Sequence, residues 1–459
     1  MPRTQYEVII VGAGPAGIFC ALELVKLGVK DILLLEKGKE VDKRKCPISS
    51  HGQCIRCKSC SIMSGWGGAG AFSDGKLTLT TEFGGWLDRY ISKDVLRDLI
   101  EYVDQIYVSN GAPDRVFGED SEYLDHLGKQ AAKADLKLIP ARIRHMGTEN
   151  NHKVLSNFHS FLKSQITIQA NESVTGIMVE NGIVQGVRTK KGEYQAPLVV
   201  CAPGRDGAEW FVHEARRLKL GLKNNQVDIG VRVEVPAITL EHITQNVWES
   251  KIIYTSRQFD DQIRTFCMNP GGEVVLENTN GLITVNGHSF AERKSANTNF
   301  ALLVSQEFTE PFDEPIVYGR YIAALANMLS GGVIIQRYGD LKKGRRSTPT
   351  RIERGTVAPT LTAAVPGDLS LVLPHRYMVD IMECLEALDA IAPGIASDHT
   401  LLYGIETKFY SARPDLSEGL ESAIPGLYTI GDGAGVTRGL IQASVSGVVA
   451  ARHLVANHR

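Results

Sequence analysis

Val8-Ile9-Ile10-Val11-Gly12-Ala13-Gly14-Pro15-Ala16-Gly17 decides the fold: a glycine fingerprint sits directly on the end of an apolar run. A second apolar run, Asp31-Ile32-Leu33-Leu34-Leu35, ends in Glu36, 19 residues after Gly17. The pattern reads as strand, tight turn, helix, strand. Gly12 permits the turn, Gly14 removes the side chain that would block a pyrophosphate, and Gly17 lets helix and strand pack closely. Pro15 and Ala16 open the helix, whose N-terminus offers unfilled N–H groups to phosphates. Glu36, followed by Lys37, is placed to accept hydrogen bonds from a ribose. An acid at this position favours an unphosphorylated adenosine ribose, so FAD or NAD and not NADP.

The far end of the chain selects between them. Gly426-Leu427-Tyr428-Thr429-Ile430-Gly431-Asp432-Gly433-Ala434-Gly435 is a short strand entering a glycine-rich turn. After Arg438-Gly439 a helix of small residues begins at Leu440. In these features the chain resembles the two-dinucleotide-binding-domain flavoproteins of the glutathione-reductase-like group. The resemblance implies that Asp432 contacts the ribityl chain of FAD. It also implies that the helix from Leu440 points its N-terminus at the flavin pyrimidine edge, where negative charge collects on reduction.

Ser64-Gly65-Trp66-Gly67-Gly68-Ala69-Gly70-Ala71-Phe72-Ser73-Asp74-Gly75 is too rich in glycine for a helix or an ordinary strand. It is similar to the flavin-facing loop of a narrower group, FAD-dependent dehydrogenases related to the HI-type flavoproteins. Thr265-Phe266-Cys267-Met268, Gly344-Arg345-Arg346-Ser347-Thr348 and the stretch from Gly435 to Ser444 resemble the same group. The Asn181-Gly182 hairpin signal and the following Ala202-Pro203-Gly204-Arg205 match the second FAD-contacting stretch of such proteins, with Val174 presenting backbone to the adenine. What the resemblance implies is FAD and redox chemistry, with no named substrate.

Composition sets the outer limits. The 459 residues suit two or three subdomains, and 43% hydrophobic with 22% charged residues is the balance of a globular protein. A net charge of −2 gives no electrostatic case for nucleic acid or an anionic membrane. No run has the length of a membrane span, and no signal peptide fits ahead of the first strand, so a cytoplasmic location is expected. The expected fold is α/β: a glutathione-reductase-type FAD-binding Rossmann domain with an inserted β-rich substrate or cap domain. Residues 1–219 form its first part, with a helical insert at about 94–138; residues 220–396 form the cap, and 397–459 complete the FAD domain. No second G-x-G-x-x-G marks a separate NAD(P)H domain.

Cys46, Cys54, Cys57 and Cys60 lie within fifteen residues between Glu36 and the glycine loop. Four thiolates can complete a zinc site or hold an iron–sulfur cluster, and a redox-active thiol pair beside the flavin is a third reading. The remaining candidates lie further on. His288 and Tyr410 are placed as proton donors or anchors. Arg346, after Gly344-Arg345, is placed to present a fork to a substrate carboxylate or phosphate. Cys267 precedes a turn expected to approach the flavin. The expected function is hydride transfer between flavin N5 and a small organic substrate, fed by NAD(P)H or a ferredoxin-like donor. Two alternatives stay open: an electron-transfer flavoprotein fed by ferredoxin through the cysteines, and an FAD-containing structural or tRNA-modifying protein.

Overall fold

A computed structural model describes residues 3–47, 57, 59–73, 75–223, 225–279, 281–289, 294–306, 314–409 and 411–458. The chain divides into two compact units. One comprises Met1–Arg115, Arg144–Asn225 and Tyr410–Arg459; the other comprises Val116–Ile143 and Gln226–Phe409.

The first unit is built on five parallel strands in the order Leu427–Thr429, Leu198–Cys201, Val8–Val11, Ile32–Glu36, Thr167–Ala170. The two strands carrying the opening motif are buried at every position, which is why they read as unbroken apolar runs instead of alternating ones. The helices Pro15–Lys26 and Leu440–His458 pack together at backbone distance. A Cβ on Gly447 would come within 2.2 Å of the Ala16 carbonyl oxygen. Beside the sheet, Val174–Glu180, Ile183–Thr189 and Glu193–Gln195 form a three-stranded antiparallel ribbon. Its first turn has φ of +51° at Asn181 and +78° at Gly182, the pair of positive values a tight hairpin requires.

The helical segment expected at about 94–138 is shared between the units. Lys93–Ser109, capped by the Ser92 hydroxyl on the Val95 N–H, belongs to the first. Ser121–Ala132, capped by the Asp120 carboxylate on the Tyr123 N–H, belongs to the second.

The second unit holds an eight-stranded sheet in the order Val365–Pro366, Ile334–Arg337, Leu401–Phe409, Val227–Pro236, Asn297–Gln306, Gln262–Asn269, Lys251–Thr255, Leu136–Ile139. Val227–Pro236 pairs antiparallel with both Asn297–Gln306 and Leu401–Phe409. That second pairing ties Leu401–Phe409 to this unit, so its limits fall at 225/226 and 409/410 and not at 219/220 and 396/397. Along Val227–Pro236, Val227, Ile229, Val231, Val233 and Val235 join a core with Phe300, Leu302, Ile381 and Leu385. Such alternation predicts a solvated polar face. Instead Asp228, Arg232 and Glu234 are all 0% exposed. The hairpin Glu273–Thr279/Leu282–His288 reaches this face at Gly287, where a Cβ would lie 2.2 Å from Asn299 Oδ1 and 2.5 Å from Arg232 Nη1. Among the described residues no helix is long and apolar enough to cross a membrane.

Candidate functional site

At the carboxyl ends of the first unit's parallel strands, segments far apart in sequence converge, as ligand sites in open parallel sheets do. Gly12 has φ +104°, and a Cβ there would meet the Ala202 carbonyl oxygen at 2.1 Å. Gly17 would meet the Gly12 oxygen at 2.0 Å, and Gly433 the Gly204 oxygen at 2.1 Å. A Cβ on Gly68 would come within 3.2 Å of Gly14 Cα, and one on Gly70 within 2.5 Å of Leu440. The Gly67 N–H donates to the Ala13 oxygen at 2.7 Å. The fingerprint turn, the glycine loop, the Ala202–Arg205 turn and the Gly431–Leu440 turn thus form one cradle.

Glu36 is the centre of that cradle. Its buried carboxylate accepts from the backbone N–H groups of Ala13 at 2.9 Å, Gly38 at 2.8 Å and Gly65 at 2.9 Å. Lys37 pairs with Asp206 at 2.6 Å. Burial raises the Asp206 carboxyl, but Lys37 and Ser64 outweigh it and hold it below the usual range. Asp432 accepts from the Thr437 hydroxyl at 2.8 Å and the Gly439 N–H at 3.3 Å, with Arg205 Nε 3.6 Å away. Burial raises its carboxyl despite these partners. The helix from Pro15 has no side-chain cap at Gly14, and the helix from Leu440 has no acid in its first turn. The N-terminus at Pro15 therefore keeps donors for an anion. Ser73 Oγ donates to the Gly70 oxygen at 2.7 Å, and Val174 is buried at the start of its strand. Close-approach glycines, an uncapped helix start at Pro15, the buried Glu36 and the partly buried Asp432 fit a dinucleotide.

Arg44 is a part of this cradle that sequence reasoning missed. Its buried guanidinium donates five hydrogen bonds to carbonyl oxygens: Ser61 twice (3.0 and 2.9 Å), Ile62 (2.9 Å), Trp66 (2.5 Å) and Gly68 (2.8 Å). Burial lowers its pKa to about 10, opposed by Glu36 and Cys60. Trp66 anchors the same loop through Nε1 to the Leu155 oxygen at 2.9 Å.

The second unit carries its own polar constellation. Arg232 holds Glu406 in a bidentate pair, 2.7 Å on both arms, with both side chains 0% exposed. Arg232 also donates to the Cys267 carbonyl (2.8 Å), Asn299 Oδ1 (3.1 Å) and Asn286 Oδ1 (3.2 Å). Lys408 Nζ lies 3.1 Å from Glu406. Burial raises the Glu406 carboxyl, but Arg232 and Lys408 more than reverse it. Next along the strand, Glu234 accepts from Tyr403 OH (2.5 Å), Thr360 Oγ1 (2.5 Å) and Asn297 Nδ2 (3.1 Å). Burial and the Glu234 charge push the Tyr403 phenol well up.

Of the expected catalytic residues, Cys267 is brought into this constellation. It sits at a bulge in Gln262–Asn269, with φ +47°, its N–H on Glu249 (2.9 Å) and its carbonyl on Arg232. His288 ends the hairpin strand next to Gly287. Arg346 is exposed; Asp340 instead collects Arg345 (2.8 Å) and Ser347 (2.8 Å). Tyr410, Asp74 and Cys54 lie outside the described residues. Among the described residues no group of three or more His, Cys, Asp or Glu is placed to hold a metal ion, so Cys46, Cys57 and Cys60 are not gathered into a ligand set. An iron–sulfur or zinc centre has no support from this geometry.

Residues 5–68 match the family described as FAD binding domain, and residues 226–409 match that described as FAD-dependent protein, C-terminal domain-like. The chain carries an FAD-binding domain and a domain of the kind found in FAD-dependent proteins. The flavoprotein is 29% identical to an uncharacterised protein of Clostridium beijerinckii, over 97% of this chain and 80% of that one. It is 48% identical to the ribosomal RNA dihydrouridine synthase of Haemophilus influenzae over 52 residues, 11% of this chain and 12% of that one. Solved structures similar to it include glycine oxidase from Bacillus cereus (14% identity, TM-score 0.40, covering 99% of this chain and 96% of that one). L-proline dehydrogenase from P. horikoshii is another (12% identity, TM-score 0.40, covering 100% and 95%).

Proposed function

We propose that the protein is an FAD-dependent oxidoreductase that transfers a hydride between FAD and a small organic substrate, the second unit acting as the substrate domain. The observation that carries the reading is the buried charged face of Val227–Pro236. Burying Arg232, Glu406 and Glu234, with Lys408 partly buried beside them, costs desolvation that an apolar sheet face would avoid, so stability alone does not account for them. Bound FAD would supply hydride transfer at flavin N5. In this reading Gly12, Gly14 and Gly17, with the helix from Pro15, hold the pyrophosphate; Glu36 takes the adenosine ribose and Val174 backbone the adenine. Asp432 takes the ribityl chain, and the N-terminus of the Leu440 helix faces the pyrimidine edge. His288, Cys267, Arg346 and Tyr410 are the candidates for proton transfer and substrate anchoring.

The test is anaerobic mixing of the flavin-loaded protein with NADH, NADPH and reduced ferredoxin in turn, following flavin absorbance. Bleaching by a nicotinamide supports a self-contained enzyme. Bleaching by reduced ferredoxin alone would replace it with a protein-fed electron carrier. A second reading, reduction of a base in RNA, is favoured by the 52-residue similarity to the dihydrouridine synthase. It predicts that RNA, added to the reduced protein, restores the oxidised spectrum. A net charge of −2 weighs against it.

A further inference from the structure

The helix Pro315–Ser330 of the second unit, PIVYGRYIAALANMLS, contains a single charged residue, Arg320. Its inner face is firmly docked. Gly319, Ile322, Ala323 and Ala326 are buried, and a Cβ on Gly319 would already press on Phe409 at 2.9 Å. Asn327 exchanges two hydrogen bonds with the backbone of Ile283, at 2.8 and 2.7 Å, and the helix closes on Gly331 at φ +69°. The exposure of the other face is therefore not a loose helix. That face presents Val317 (42% exposed), Tyr321 (73%), Leu325 (37%), Met328 (72%) and Leu329 (48%), with the small Ala324 among them. Spacings of three and four residues put them on one continuous stripe.

These five side chains expose on the order of 500 Å² of apolar surface, the upper range for a single patch on a monomer. Two such faces brought together bury about 1,000 Å², the threshold of a specific interface. The stripe carries no cation to hold an anionic membrane or nucleic acid, and the exposed acid Glu314 stands at its N-terminal end. A charge-free patch meets its own copy without like-charge repulsion, and a two-fold axis makes the two helices antiparallel with opposed dipoles.

We propose that this helix is the interface between two copies of the chain, crossing antiparallel about an axis at Ala324 and Leu325. Around that axis Tyr321 of each copy meets Met328 of the other, a thioether–aromatic contact, and Ala324 makes room for the opposing Leu325. Sedimentation velocity on the flavin-loaded full chain tests it. The natural sequence sediments as a dimer at micromolar concentration. Met328→Glu, and separately Tyr321→Lys, weaken the dimer at least about tenfold, while flavin absorbance and the far-UV circular dichroism of the folded chain stay unchanged. The double variant Tyr321→Lys/Met328→Glu regains the dimer, because the new charges face each other across the axis. A monomeric natural protein, a Met328→Glu variant that stays dimeric, or a double variant that stays monomeric would each overturn the proposal.

Discussion

Glu36 accepts from three backbone N–H groups, and a carboxylate offers about four positions. It therefore shapes the cradle before any ribose arrives, linking the fingerprint turn, the Gly38 turn and the glycine loop. Glu36→Gln replaces one acceptor oxygen with a donor and removes the charge, at about 1.5–3 kcal/mol for each charged hydrogen bond lost. The expected outcome is FAD affinity lower by roughly ten- to a hundredfold, read by titrating the apoprotein with FAD and following fluorescence. An unchanged affinity would mean the carboxylate has no part in the site. At this scale the sequence was most legible where backbone geometry demands one residue type. Gly12, Gly17 and Gly433 each meet a carbonyl oxygen that excludes any Cβ. Arg44 was not legible, because nothing in Lys43-Arg44-Lys45 separates a surface cation from one whose five donors end on carbonyls of residues 61–68.

At the scale of elements, two close approaches make sharp predictions. Gly447→Ala forces apart the helices Pro15–Lys26 and Leu440–His458, because the new methyl would sit 2.2 Å from the Ala16 oxygen. Overpacking of this kind costs about 1–3 kcal/mol, visible as a lower urea midpoint with an unchanged slope. Arg44→Lys keeps the charge but replaces a planar five-donor fork with a three-donor ammonium, so it cannot hold Ser61, Ile62, Trp66 and Gly68 together. Faster cleavage of the 61–68 segment in limited proteolysis is expected, with FAD slowing it less than in the natural protein. The strands Val8–Val11 and Ile32–Glu36 were readable as unbroken apolar runs. Val227–Pro236 was readable as a strand but not as a buried one. Alternation of Val and Ile with Asp, Arg and Glu ordinarily marks a half-solvated strand, and partners such as Glu406, 174 residues from Arg232, leave no local signal.

For the whole molecule, the sequence reading found an interrupted first unit and a β-rich second one. It missed that residues 116–143 cross into the second, because Leu136–Ile139 pairs with Lys251–Thr255 only through tertiary structure. Stability of the whole should also depend on pH through Asp380 in that unit. Burial, with Asp261 beside it, raises its carboxyl from 3.8 to about 7, against the pull of Ser256 and Arg376. Between those values the folded chain holds a proton that the unfolded chain has released, so this group's contribution is lost as pH rises through about 7. Urea unfolding at about pH 5 and about pH 8 should show the natural protein losing more stability than Asp380→Asn; equal losses would contradict the assignment.

The central claim is that the first unit binds FAD and the chain works through it. The most direct measurement is the absorption spectrum of gently purified protein, followed by chromatography of the cofactor released on denaturation. One FAD per chain, sharply reduced in Glu36→Gln, is the predicted result. Protein that carries no flavin, and takes up none when FAD is added, would contradict the account.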